Sequence, residues 1–313
     1  MQIKIAFIGA GFMAEAHIKA FADISGVFLA GIYSRTFARA EKLALKFSIE
    51  EVYTSIDELY MGTQADLVII AVPELSVNQV CKEAFKFPWV CLVEKPVGYN
   101  LTDAQEIAQE AHRHRAKVYV ALNRRHYSST RCVIDDIESV DENRLVHIMD
   151  QEDPRSALKA GAPLLVVQNW MYANSIHVID YFKIFCRGEI VDLHHVIKWN
   201  PQDPRFVMVK LRYSSGDVGV YQAIWNGPGP WAVSINTQAK RWEMRPLEDA
   251  TVQVYGSRKP ELLPKHSWDD EFKPGLRFQA EEAIKAVRGE QHRLPSLADA
   301  MDTMKLIHLI YEM

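Results

Sequence analysis

Cysteine is scarce in this chain, with four among 313 residues. Cys81, Cys91, Cys132 and Cys186 stand apart, without a Cys-x-x-Cys pair or any spacing of metal or redox type. They read as small buried hydrophobes in a reducing compartment, and no metal site is expected. Long apolar runs are missing too: none approaches the roughly 20 residues that cross a bilayer. The first residues read as a strand without a basic leader or cleavage site, so no signal peptide is expected and the location expected is cytoplasmic. A large surplus of charge of one sign is missing as well. A net charge of −4 gives no reason to expect nucleic acid or an anionic membrane as partner. There is no internal repeat and no low-complexity segment. What remains is a chain with 48% hydrophobic residues, long enough for one very large domain or two ordinary ones.

What is present begins at once. Ile3 to Ile8 is an apolar strand pattern, and Gly9-Ala10-Gly11-Phe12-Met13-Ala14 follows as G-x-G-x-x-A before a helical stretch from Glu15 to Ala22. Strand, glycine turn and helix in that order form the context of a dinucleotide fingerprint. Gly9 permits the tight turn, Gly11 admits a pyrophosphate close to the backbone, and Ala14 lets the helix pack near the strand. The N–H groups of Phe12 and Met13 would then meet the phosphate charge at the positive end of the helix dipole.

Strands and helices keep alternating. Strands are expected at 27–33, 67–72, 89–93 and 117–122, and helices at 36–47 and 102–114. Ser55/Glu58, Ser76/Gln79 and Thr102/Gln105 look like capping pairs. The expectation is an α/β fold: a doubly wound parallel sheet whose ligand lies at the carboxyl ends of the strands.

Three such ends carry chemistry. An NAD site usually has an acid about 20 residues past the fingerprint, on the ribose 2′-hydroxyl. Here that acid is lacking: Tyr33-Ser34-Arg35-Thr36 stands there. A hydroxyl beside a guanidinium suits a 2′-phosphate, which favours NADP(H) and leaves NAD(H) open. Arg39, one turn on, would add a second contact; solvated surface arginines are the alternative for both. Val72-Pro73-Glu74 follows the next strand, and Glu94-Lys95-Pro96 the one after. A lysine at that edge, its pKa lowered by desolvation, can trade a proton with a hydroxyl. A lysine paired with Glu94 is the alternative.

These residues together resemble the Gfo/Idh/MocA oxidoreductases, typified by glucose-fructose oxidoreductase and inositol 2-dehydrogenase. Asn123-Arg124-Arg125 is similar to the family's segment at the domain junction, and 278–313 to its closing helices. The resemblance implies a Rossmann domain over 1–122. It further implies an α+β domain over 123–313 with an open, mostly antiparallel sheet, for substrate binding and oligomerisation. The helices of 278–313 would pack back on the chain. It implies hydride transfer between NAD(P) and a hydroxyl or keto carbon of a sugar, nucleotide sugar or cyclitol. Lys95 and a histidine of the second domain would be the catalytic pair, and Asn123 would join the cofactor residues. Redox-assisted glycoside cleavage, or dinucleotide binding by a regulator without turnover, are the alternatives.

The second half carries short strands without intervening helices: 144–150, 206–213, 218–225, 232–237, 242–245 and 251–255. A mostly antiparallel sheet with one free face follows, and through it a homodimer or homotetramer. Asn174 to Phe182 has helical spacing. The family pattern D-x-G-x-H-x-x-D sets His177 and Asp180 on its last two named positions, but its first acid falls on Ala173 and its glycine on Ser175. His177 is therefore the acid/base candidate without the expected carboxylate, and a core histidine is the alternative. Besides Asn169, Tyr172 and Asn174 are candidate substitutes for that contact. With Arg124 and Trp231, which lies in the loop after 225, they are the candidate substrate residues. Asp180 reads as structural.

Overall fold

A computed structural model describes residues 2–312. It divides the chain into two compact units: residues 1–123 with 268–301, and residues 124–267 with 302–313. The first division falls after Asn123, one residue past the expected boundary. The segment 268–301 is counted with the first unit rather than with the second domain. Apolar spacing explains it: Leu276, Ala280, Ala283 and Ile284 share one core with Ile18, Phe21, Phe7 and Leu92.

The first unit is built on β1 (Ile3–Ile8), β2 (Val27–Tyr33), β3 (Val52–Tyr53), β4 (Leu67–Ile70), β5 (Val90–Glu94) and β6 (Lys117–Ala121). They form one six-stranded sheet in the order β3-β2-β1-β4-β5-β6, and every pairing is parallel. Leu67, Val68, Ile69 and Ile70 are all buried, as a strand covered on both faces requires. The connecting helices are α1 (Phe12–Ala22), α2 (Phe37–Phe47), α3 (Ile56–Thr63), α4 (Val77–Ala84) and α5 (Leu101–His114). Ser55 caps α3 by accepting from the Glu58 N–H, as its spacing predicts. The other two caps differ. Ser76 makes no side-chain cap, because a short 3-10 turn, Glu74–Ser76, already leads the chain into α4. Asn100, not Thr102, caps α5, its side-chain oxygen accepting from the Asp103 N–H at 2.9 Å.

The second unit opens with α6 (Ser128–Ile137) and β7 (Leu145–Glu152), then α7 (Pro154–Lys159) and α8 (Leu164–Gln168). The helix expected at 174–182 is broken into a π turn, Met171–Ser175, α9 (Ile176–Ile179) and α10 (Tyr181–Phe185). Strands β8 (Ile190–Ile197), β9 (Phe206–Tyr213), β10 (Val218–Trp225), β11 (Ala232–Asn236), β12 (Lys240–Met244), β13 (Ala250–Val254) and β14 (Glu261–Leu262) follow. They join β7 in an eight-stranded sheet, order β14-β13-β12-β11-β7-β10-β9-β8, antiparallel except for β7 with β10. Burial alternates along β7, β9 and β10, the pattern of a sheet with one covered face. A β-carbon on Gly219 would meet the Phe182 ring at 2.7 Å, so α10 covers that face closely. Three helices follow: the short α11 (Trp268–Glu271), then α12 (Leu276–Arg288) and α13 (Leu297–Tyr311), the division between the units falling within α13.

Candidate functional site

In the first unit the expected residues converge on the carboxyl ends of neighbouring strands. Gly9 follows β1 with φ +113°, and a β-carbon there would collide with the Ala71 carbonyl at the end of β4. Only glycine meets both conditions. Gly11 is the N-cap of α1, and nothing lies within 4 Å of where its β-carbon would be. It has no side chain to cap the helix, so the N-terminal turn at Phe12 and Met13 borders an open cradle of the kind that takes a pyrophosphate. Phe12 is strongly exposed there.

Next along the sheet, Ser34 accepts from the Thr36 N–H at 3.3 Å, and Arg35 and Arg39 are exposed. Among the described residues neither arginine has a carboxylate partner. Val72, Pro73 and Glu74 stand at the end of β4. At the end of β5, Glu94 is buried. Its Oε1 pairs with His17 Nε2 at 2.7 Å, and its Oε2 accepts from the Lys95 N–H at 3.2 Å. His17 lies on α1, so the helix that begins at the glycine turn also fixes the Glu-Lys-Pro segment. Sequence reasoning missed His17, because no local pattern links positions 77 residues apart. Lys95 is half-buried, and its peptide bond to Pro96 is cis. Asn123 is buried, and its amide donates to the Pro274 carbonyl at 3.0 Å. That bond ties β6 to the returning segment.

In the second unit His177 is buried on α9, its ring centre 6.1 Å from that of Trp231. The Trp231 indole nitrogen donates to the Gln151 carbonyl at 2.9 Å, and the Arg124 guanidinium lies 4.6 Å over the indole. His177, Trp231 and Arg124 thus form one chain of ring contacts. Tyr172 is buried, which pushes its phenol up to about 12. Asp180 is held by Arg125 through two bonds of 2.6 and 2.7 Å and by Thr303 at 2.9 Å, a structural clamp on α10.

Asn174 is committed elsewhere. Its amide donates to Glu152 Oε2 at 2.8 Å, beside the Trp170 indole, while Ser175 donates to Oε1 at 3.1 Å. The carboxylate that reaches this turn, where the family's acid is replaced by Ala173, therefore comes from β7. Glu152 is fully buried next to Asp150, whose Oδ2 accepts from Tyr221 at 2.6 Å; Tyr221 in turn meets Tyr311 at 2.8 Å. Burial, together with the neighbouring Asp150 charge, holds the Glu152 carboxyl well above its usual range. Asp150 is raised as well, by burial. Its Oδ1 has no donor among the described residues, and a proton held on Glu152 would supply one. The sequence carried a signal for this pair: Asp150 and Glu152 continue the buried phase of Val146 and Ile148.

A family model described as "Oxidoreductase family, NAD-binding Rossmann fold" matches residues 3–122. Over these residues the chain is similar to the Gfo/Idh/MocA oxidoreductases. It is similar to 4-carboxy-2-hydroxymuconate-6-semialdehyde dehydrogenase of Sphingobium sp., 23% identical over 319 residues, or 97% of this chain and 96% of that protein. It is similar over a shorter stretch to scyllo-inositol 2-dehydrogenase (NADP(+)) IolU of Bacillus subtilis. That match is 26% identical over 110 residues, or 35% of this chain and 34% of that one. Among solved structures, levoglucosan dehydrogenase in complex with NADH superposes with a TM-score of 0.81 at 17% identity, covering 100% of this chain and 96% of that one. No helix among the described residues is long and apolar enough to cross a membrane, and no cluster of three or more metal-ligating side chains occurs among them.

Proposed function

We propose that this chain is an NAD(P)-dependent oxidoreductase that transfers a hydride between the nicotinamide and a hydroxyl or keto carbon of a sugar, nucleotide sugar or cyclitol. The observation that carries this reading is the open, side-chain-free start of α1 after β1 together with the Glu94-Lys95-Pro96 segment after β5, at carboxyl ends of one parallel sheet with only β4 between them. When bound, the cofactor supplies the hydride chemistry. The chain's own residues do the rest. Gly9 and Gly11 keep the cradle open, and the α1 N-terminus carries the phosphate charge. Lys95, anchored through Glu94 and His17, exchanges the hydroxyl proton. His177 is the second proton carrier or substrate anchor.

NADP(H) is the preferred cofactor in this proposal, because Arg35 and Arg39 are exposed, have no carboxylate partner among the described residues and follow a strand that ends without an acid. The relative that matches over 97% of the chain is named for a carboxylated substrate, so the substrate screen extends beyond neutral sugars. The proposed location is the cytoplasm. The proposed assembly is a homo-oligomer through the open sheet, whose side chains Ile190, Val191, Val196, Ile197 and Phe206 are exposed. Light scattering after gel filtration checks it.

The test is a fluorescence titration with NADPH and NADH, followed by a screen at the nicotinamide absorbance band. Lys95→Ala is expected to fold, bind cofactor and lose most turnover. Near-normal turnover in that variant removes Lys95 from the mechanism. Cofactor that stays bound without exchange, together with glycoside cleavage, would favour redox-assisted hydrolysis instead. Binding without any turnover would favour a regulator.

A further inference from the structure

The second unit contains a cavity of about 250 Å³ lined in part by Arg124, Trp231, Arg245, Leu247 and Glu248. Its aromatic wall is fixed: Trp231 is held by its bond to the Gln151 carbonyl and stands in ring contact with His177. Its charge is not balanced. Two guanidiniums face one carboxylate, and among the described residues neither Arg124 nor Arg245 has an ion-pair partner.

Arg124 and its neighbour differ in an instructive way. Arg125 is closed by the bidentate Asp180. Arg124 is half-buried, spreads its guanidinium over Trp231 and Tyr127, and has its Nε buried without an acceptor. A desolvated cation without an anion is costly to keep. An incoming anion recovers that cost, and the planar fork of a guanidinium fits carboxylate or phosphate oxygens two at a time. The size limits the guest. Pockets for drug-sized ligands run from about 300 Å³ upward, so this one suits a compact anionic group and not a nucleoside diphosphate.

We propose that this cavity is the anion subsite of the substrate: the hydroxyl compound carries a carboxylate or a phosphate monoester, gripped by Arg124 and Arg245 against the Trp231 ring. This rests on the dehydrogenase reading above and narrows it from polyols in general to acidic ones. Arg124 supplies the buried half of the grip. Arg245, exposed at the end of β12, supplies the outer half.

The test uses the full chain loaded with NADPH. Binding of D-glucuronate, D-glucose 6-phosphate, D-glucose and myo-inositol is measured by calorimetry. Turnover of the same four with NADP and NADPH is measured in parallel. The expected result is that at least one anionic member binds while the neutral pair does not, with affinity falling as salt rises. The carboxylate and phosphate arms say which anion it is. Arg124→Gln and Arg245→Gln should each weaken that binding about 10- to 100-fold, and Arg124→Lys less. Arg245→Gln alters an exposed side chain, so a folding defect does not obscure it. Neutral compounds that bind as well as acidic ones, no binding of any member, or variants that bind like wild type would overturn the subsite. Anion binding without turnover would leave the subsite standing and remove the dehydrogenase reading.

Discussion

Replacing Glu152 by glutamine should stabilise the protein, and by more as pH rises. The glutamine is close in shape. Its carbonyl can accept from Trp170 and Asn174 where Oε2 does now. Its amide can donate to Asp150, while the Ser175 hydroxyl turns to accept. What changes is the proton balance. The Glu152 carboxyl is raised above the ordinary glutamate value of 4.5. Below that value folded and unfolded chains are both protonated, and burial of the carboxyl carries no ionisation penalty. Above it the unfolded chain ionises while the folded one resists. Wild type then loses about 1.4 kcal/mol per pH unit until the raised folded value is passed. The glutamine variant has no such proton. Above the ordinary value of 4.5, while the folded carboxyl resists ionisation, it should gain on wild type as pH rises. Urea unfolding followed by tryptophan fluorescence, which reports Trp170 beside the pair, measures this at each pH. Glu152→Ala is the control. It strands the donors of Trp170, Asn174 and Ser175, at about 1–3 kcal/mol for each left without an acceptor. Stability curves for wild type and Glu152→Gln that run parallel across this range would refute the shared-proton argument.

Further outcomes follow from single contacts. Gly9→Ala should lose about 2–3 kcal/mol or more, since φ +113° disfavours a β-carbon and the Ala71 carbonyl occupies its place; thermal melting checks it. Arg35→Ala should weaken NADPH about 10-fold or more and leave NADH unchanged, read by titration; equal affinities in wild type would end the 2′-phosphate argument. Asp180→Asn should cost about 3–5 kcal/mol in chemical denaturation, because it leaves the largely buried Arg125 guanidinium without its anion.

Much of this molecule was legible because its rules are local. A strand covered on both faces must be apolar throughout, and Leu67 to Ile70 are. A turn that meets the Ala71 carbonyl must be glycine, and Gly9 is. Ser55 caps three residues ahead, within reach of any reader of the sequence. The failures are local rules with two applicants. Asn100 preceded Thr102 as the cap of α5, and the 3-10 turn at Glu74 displaced Ser76. The expected helix at 174–182 has the right spacing, yet a π turn interrupts it where Asn174 and Ser175 bond to Glu152.

The sequence by itself determined the order of strands and helices as far as β6, the glycine turn, the positions of Arg35 and Lys95 at strand ends, and the absence of an acid at Ala173; between β7 and β9 it did not show α7, α8 or β8. Each depends on residues a few positions apart, where backbone geometry and side-chain period leave few options. Only the tertiary structure decided that 268–301 returns to the first unit, that His17 anchors Glu94, that β7 sends a buried carboxyl with a raised pKa to the turn before His177, and that Arg124 stays open while Arg125 is closed. These depend on burial and charge pairing between residues distant along the chain. Desolvation sets both, and desolvation exists only once the chain has folded around the groups concerned.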